Sequence, residues 1–106
     1  MIRKAFLMEV QAGKISAYEK SHNPIWPELQ AVLKRHGLRN YSIFHDADTN
    51  LMSGYVEIED EAQFKKLADN PVCHKWWRYM QNFLVSDDPS AGKAREKTLR
   101  EVFHLD

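Results

Sequence analysis

The chain has a single cysteine, Cys73, among 106 residues, so neither an internal disulfide nor a metal site built from several thiolates is open to it. Glycine is scarce as well. The 4 glycines form no phosphate-cradling loop and no Gly-x-Ser-x-Gly elbow. There is no surplus of charge: 15 Lys+Arg stand against 15 Asp+Glu, whereas a phosphate-binding surface needs clustered excess cation, which argues against nucleic acid as a partner. No apolar run approaches the roughly 20 residues of a membrane span, which argues against a membrane partner. The opening Met1-Ile-Arg-Lys-Ala-Phe6 lacks the apolar stretch and small-residue cleavage site of a secretion signal, so a soluble, cytoplasmic protein is expected. The five histidines (22, 36, 45, 74 and 104) are never one, three or four apart, the spacings that would place a metal-binding pair on one strand or helix face. No cofactor is expected.

What is present is enough for one core. Residues 1–106 read as a single domain, because a chain of this size buries roughly two-thirds of its unfolded surface. Little core is left to spare, which makes an oligomer plausible. From Ile2 to Val10 the side chains alternate, with Ile2, Phe6, Met8 and Val10 on one side and Arg3, Ala5, Leu7 and Glu9 on the other, a strand pattern. Lys14 to His22 reads as a short helix, broken at Asn23-Pro24 because the residue before a proline avoids helical angles. A second helix carries Ile25, Leu29, Val32, Leu33 and His36 on one stripe, with a proline in its first turn and Gly37 as its C-terminal cap. Asn40–His45 and Leu51–Ile58 flank the turn residues Asp46-Ala-Asp-Thr-Asn50, predicting a hairpin. Asp60 can cap a helix carrying Phe64 and Leu67, with Gln63 as its capping-box partner. Asn70-Pro71 stops that helix, and Val72, Trp76, Met80 and Phe83 then repeat at helical spacing. Residues 86–97 are polar and read as a loop, and Leu99–Leu105 reads as a last strand.

This order, β-α-β-β-α-β, predicts an α+β fold of the ferredoxin-like class, with both helical units on one face of a four-stranded antiparallel sheet. The other sheet face is then uncovered. A second copy of the chain is the expected cover, giving a homodimer with a barrel-like pair of facing sheets.

The residues that could carry chemistry are aromatic and polar. Tyr18 and His22 are four apart and share a helix face. His22 sits at the end of that helix, where partial negative charge favours the protonated imidazole and suits a general acid, although a polar surface pair accounts for the same spacing. Trp76 and Trp77 diverge by about 100° around a helix, so one can pack inside while the other lines a cavity. An indole suits a sugar, with a flat apolar face for C–H groups and one N–H donor. Core packing is the plainer reading of both, as it is for Trp26 and Tyr79. Tyr41 lies on the second strand, where an ordinary sheet aromatic is the alternative. Cys73 reads as a small buried hydrophobe. No carboxylate is marked as a general base by spacing.

Taken together, these segments resemble the L-rhamnose mutarotase family. The resemblance is carried by Met1-Ile-Arg-Lys-Ala-Phe6, Tyr18-Glu-Lys-Ser-His-Asn-Pro-Ile-Trp-Pro-Glu28, Asn40-Tyr-Ser-Ile43, Val56-Glu-Ile-Glu59, Trp76-Trp-Arg-Tyr-Met80 and Glu101-Val-Phe103. It covers nearly the whole chain with almost no offset. It implies a dimeric α/β barrel, no cofactor, and interconversion of the α and β anomers of L-rhamnose in rhamnose catabolism. By position it implies that His22 is the proton donor and that Tyr18, Tyr41, Trp76 and Trp77 bind the sugar. His45 and Gly54 stand where the family pattern has larger apolar residues, and residues 86–98 do not align well, as in a variable loop. Two other functions suit the same dimeric fold: a cofactor-free small monooxygenase, and a ligand-binding module without catalysis.

Overall fold

In a computed structural model describing residues 1–106, the alternating N-terminal segment forms strand β1 (Ile2–Glu9). The chain continues through helices α1 (Ile15–Ser21) and α2 (Pro27–Arg35), strands β2 (Leu38–His45) and β3 (Leu51–Ile58), helices α3 (Glu61–Lys65) and α4 (Pro71–Met80), and strand β4 (Lys97–Leu99). The strands lie in the order β2-β3-β1-β4, all neighbours antiparallel. This is the ferredoxin-like arrangement, with each helical unit split in two.

The β1–β3 register sets the layers. Ile2 pairs with Ile58, Lys4 with Val56, Phe6 with Gly54 and Met8 with Met52, so these residues share one sheet face. On that face Met52, Val56 and Ile58 are fully buried, in one cluster with Leu29, Val32, Leu67, Cys73, Trp76 and Met80 from the helical layer. Removing each such side chain from water contributes about 1.5–3 kcal/mol before entropy is counted. Lys4 stays on this face because Glu61 neutralises its ammonium at 2.9 Å and the Phe64 ring lies against it. The opposite face, with Ala5, Leu7, Ser53 and Tyr55, has no layer over it, and Phe44 there is 67% exposed.

Caps and turns follow the local chemistry. Asp60 accepts a hydrogen bond from the Ala62 N–H at 2.8 Å and so starts α3. Gln63 returns no bond to Asp60, so only half of the expected capping box forms. Asn70 begins α4 as well as ending the segment before it, accepting from the N–H groups of Val72 and Cys73 at 2.9 and 3.3 Å, with Pro71 in the first turn. Gly37 leaves α2 at φ 84°, a left-handed value open to glycine. Asp46 closes the β2–β3 turn by accepting from the Asp48 N–H and the Thr49 hydroxyl.

Two strands differ from the sequence expectation. β2 begins at Leu38, two residues early, and carries a bulge between Arg39 and Ser42, with Asn40 at φ 50°. β4 spans only Lys97–Leu99, where Leu99–Leu105 reads as a strand. Leu99 is opposite Ala5, so an antiparallel continuation meets the end of β1 within a few residues and the remainder has no partner in its own sheet. Residues 100–106 are exposed, tethered near their start by the Arg3–Glu101 ion pair at 2.8 Å. Gly54, out of place by the family pattern, has a local reason: the Phe6 ring lies over it, and an added Cβ would stand 2.3 Å from that ring.

Candidate active site

The site starts from α1, whose pitch brings Tyr18 and His22 onto one face. Their rings meet at a tilt of 37°, with centroids 4.4 Å apart. His22 Nδ1 lies 2.9 Å from the Tyr18 carbonyl oxygen. A carbonyl only accepts, so Nδ1 carries the hydrogen and donates it. The Ser21 hydroxyl donates to the same carbonyl at 2.5 Å and sits 3.0 Å from Nδ1. In the neutral ring the lone pair is therefore on Nε2. Burial pushes the His22 pKa below its ordinary value, and the Tyr18 carbonyl only partly opposes this. The helix end was expected to favour the imidazolium; desolvation against aromatic rings outweighs it, and the imidazole rests neutral.

Tyr41 reaches the site through the bulge in β2. Leu38 faces the helical layer, and strict alternation would send Asn40, Ser42 and Phe44 to the same side. With Asn40 in a left-handed conformation the register shifts by one, and Ile43 and His45 pair with Gly54 and Met52 on the helical side. Tyr41 turns inward with them and meets the Phe6 ring edge-on, centroids 6.0 Å apart. The residue is 43% exposed, yet desolvation of its hydroxyl raises the phenol pKa. Burial raises Tyr18 in the same way. Neither hydroxyl has a hydrogen-bond partner within the chain, in contrast to Tyr55, which donates to Glu57 at 2.8 Å. Both phenols stay neutral, and their hydroxyls are free to bond a ligand.

The two tryptophans divide as their angular separation predicts. Trp76 is buried, edge-on to His22 at 5.1 Å and to Trp26 at 4.9 Å. Trp77 is half-buried, with the Lys93 ammonium 4.6 Å from its ring centre. Trp26 and Tyr79 stack on each other behind Trp76 and serve as its support. Cys73 is buried, and burial raises its thiol pKa.

Tyr18, His22, Tyr41, Trp76 and Trp77 all line a recess of about 70 Å³ and also the open cleft of about 1170 Å³ with which it shares its walls, between the sheet and the helices, so a sugar seated at the recess extends into the cleft. The cleft exceeds the roughly 300–1,000 Å³ of common small-molecule sites, and its aromatic end is where polar groups converge. Lys93 and Glu96, from the loop before β4, line the recess too. Nothing in the sequence marks these two, since they fall in a polar segment with no periodicity. No three His, Cys, Asp or Glu side chains are placed to hold a metal ion.

A family model described as L-rhamnose mutarotase matches residues 3–105. The L-rhamnose mutarotase of Opitutus terrae is 50% identical over 106 residues, with 100% of both chains covered. That of Oceanobacillus iheyensis is 45% identical, again with 100% of both chains covered. Among solved structures, the L-rhamnose mutarotase of Formosa agariphila superposes with a TM-score of 0.88 at 31% identity, covering 100% of each chain.

Proposed function

The chain belongs to the L-rhamnose mutarotase family, and its activity is the interconversion of the two anomers of L-rhamnose; from that premise we propose how its recess performs the reaction. The observation that carries the reading is the convergence of Tyr18, His22, Tyr41, Trp76 and Trp77 on one recess. Neither a monooxygenase nor a non-catalytic module is favoured by the family match.

Mutarotation opens the sugar ring, turns over the C1 carbonyl face and closes the ring again. The O1–H and C1–O5 bonds break, and a C1=O1 double bond and an O5–H bond form. One proton leaves O1 and one arrives at O5, so no net proton is needed. His22 suits both tasks in turn. Its Nδ1–H is held by the Tyr18 carbonyl, which leaves neutral Nε2 to take the O1 proton and then, as the donor, to deliver it to O5. Reversal on the other carbonyl face closes the other anomer. Tyr18 and Tyr41 hydrogen-bond the sugar oxygens through their unpartnered hydroxyls. Trp77 faces the apolar side of the deoxy sugar, and Trp76 backs the imidazole.

The test is exchange between L-rhamnose anomers at equilibrium, followed by magnetisation-transfer NMR. His22→Ala is expected to lower the catalysed rate about 10²–10⁴-fold while the fold persists. An unchanged rate would remove His22 from the mechanism.

A homodimer belongs to the same proposal. It is supported by the uncovered sheet face with Phe44, and by the exposed Val102, Phe103 and Leu105 of the C-terminal tail. No helix is long and apolar enough to cross a membrane. We propose a cytoplasmic location, which suits the sugar catabolism of the mutarotase family.

A further inference from the structure

Glu96 is the one carboxylate lining the recess, and the wider cleft adds only Glu19. It is held between two fixed points. On one side, the Arg95 N–H donates to the Val85 carbonyl at 3.1 Å, and the Arg95 guanidinium is drawn to Glu9 and Asp87 at 2.8 and 3.2 Å. On the other, Lys97 enters β4 opposite Leu7. The Glu96 carboxylate itself makes no ion pair or hydrogen bond in the chain, although its charge is felt at the hydroxyls of both Tyr18 and Tyr41. Lys93, on the same loop, lies over the Trp77 ring and makes no ion pair with Glu96.

The two cations of the lining are already engaged, Lys93 by the Trp77 ring and Arg95 by Glu9 and Asp87, and the other walls discriminate poorly between sugars. Aromatic faces accept any C–H surface, and a phenol hydroxyl both donates and accepts, so it tolerates either orientation of a sugar hydroxyl. A carboxylate only accepts. Its two oxygens suit two neighbouring hydroxyls that point the same way, and such charge-assisted bonds are about twice as strong as neutral ones. We propose that Glu96 is a specificity-determining residue, which accepts hydrogen bonds from a pair of adjacent hydroxyls of a 6-deoxyhexose in the recess. This rests on the sugar occupying the recess as proposed above. Contacts of this kind hold ground state and transition state alike, so they act on binding rather than on the chemical step.

The experiment is saturation kinetics of anomer exchange for Glu96→Gln and Glu96→Ala, with L-rhamnose and with L-fucose, a 6-deoxyhexose of different hydroxyl configuration. Trp77→Ala is measured alongside. Both Glu96 variants are expected to raise KM for L-rhamnose about tenfold or more. They should narrow the preference over L-fucose and leave kcat and its pH profile unchanged. An unchanged KM and preference would overturn the proposal, as would a fall in kcat with a displaced pH profile, which would make Glu96 a proton-transfer group. If Trp77→Ala also leaves exchange with L-rhamnose unaltered, the placement of the sugar in the recess fails, not the role of Glu96 alone.

Discussion

The His22 imidazole is governed by two opposing influences, and the direction of the balance fixes its behaviour with pH. Burial favours the neutral ring and outweighs the Tyr18 carbonyl. The folded-state pKa therefore lies below the ordinary 6.5, and the unfolded chain takes up a proton first as pH falls. The stability this residue contributes is present above the unfolded-state pKa and is lost as pH falls toward the folded one. Urea midpoints should drop on acidification from about pH 7 to about pH 5, and His22→Gln should flatten that dependence. Catalysis is expected to follow the neutral form, with an acid limb in the same range. A rate that climbs on acidification through this window would show that the imidazolium is the form the sugar meets.

At the scale of elements, the bulge in β2 decides whether Tyr41 enters the site. Asn40 adopts φ 50°, a conformation that asparagine tolerates and β-branched residues resist. Asn40→Val is expected to cost about 1–2 kcal/mol, whereas Asn40→Gly should be close to neutral in stability. Urea unfolding separates the two. Because straightening the strand would turn Tyr41 away, Asn40→Val should also raise KM for L-rhamnose. Equal stability and KM in both variants would mean that the bulge does not depend on this residue. Gly54 serves the same end from the neighbouring strand: its missing Cβ admits the Phe6 ring, and that ring supports Tyr41.

On the scale of the whole molecule, the sheet has one covered and one bare face, and the last seven residues lie outside it. Val102, Phe103 and Leu105 are 77–80% exposed, an unfavourable arrangement for an isolated chain. Sedimentation velocity at micromolar concentration should show a dimer. Val102→Asp combined with Phe103→Asp should shift the population toward monomer with far-ultraviolet circular dichroism retained. A monomeric parent protein would refute the dimer.

The element order, the helix break after His22, the Asp60 cap, the stop at Asn70-Pro71 and the helical pairing of Tyr18 with His22 were all legible in the sequence, because each depends on neighbours within a turn or two. So were the motif runs that carry the family resemblance. The early start and bulge of β2 and the truncation of β4 were not, since both depend on where β1 and β3 lie. The same holds at the site. Spacing along α4 predicts that Trp76 and Trp77 diverge, but only packing assigns the buried role to Trp76. The helix end points toward a charged His22, but the rings that close around it reverse the sign. Glu96 had no local signature at all. It enters the recess because Arg95 anchors the loop on one side and β4 begins on the other, and such long-range anchoring is decided by tertiary contacts rather than by any pattern in adjacent residues.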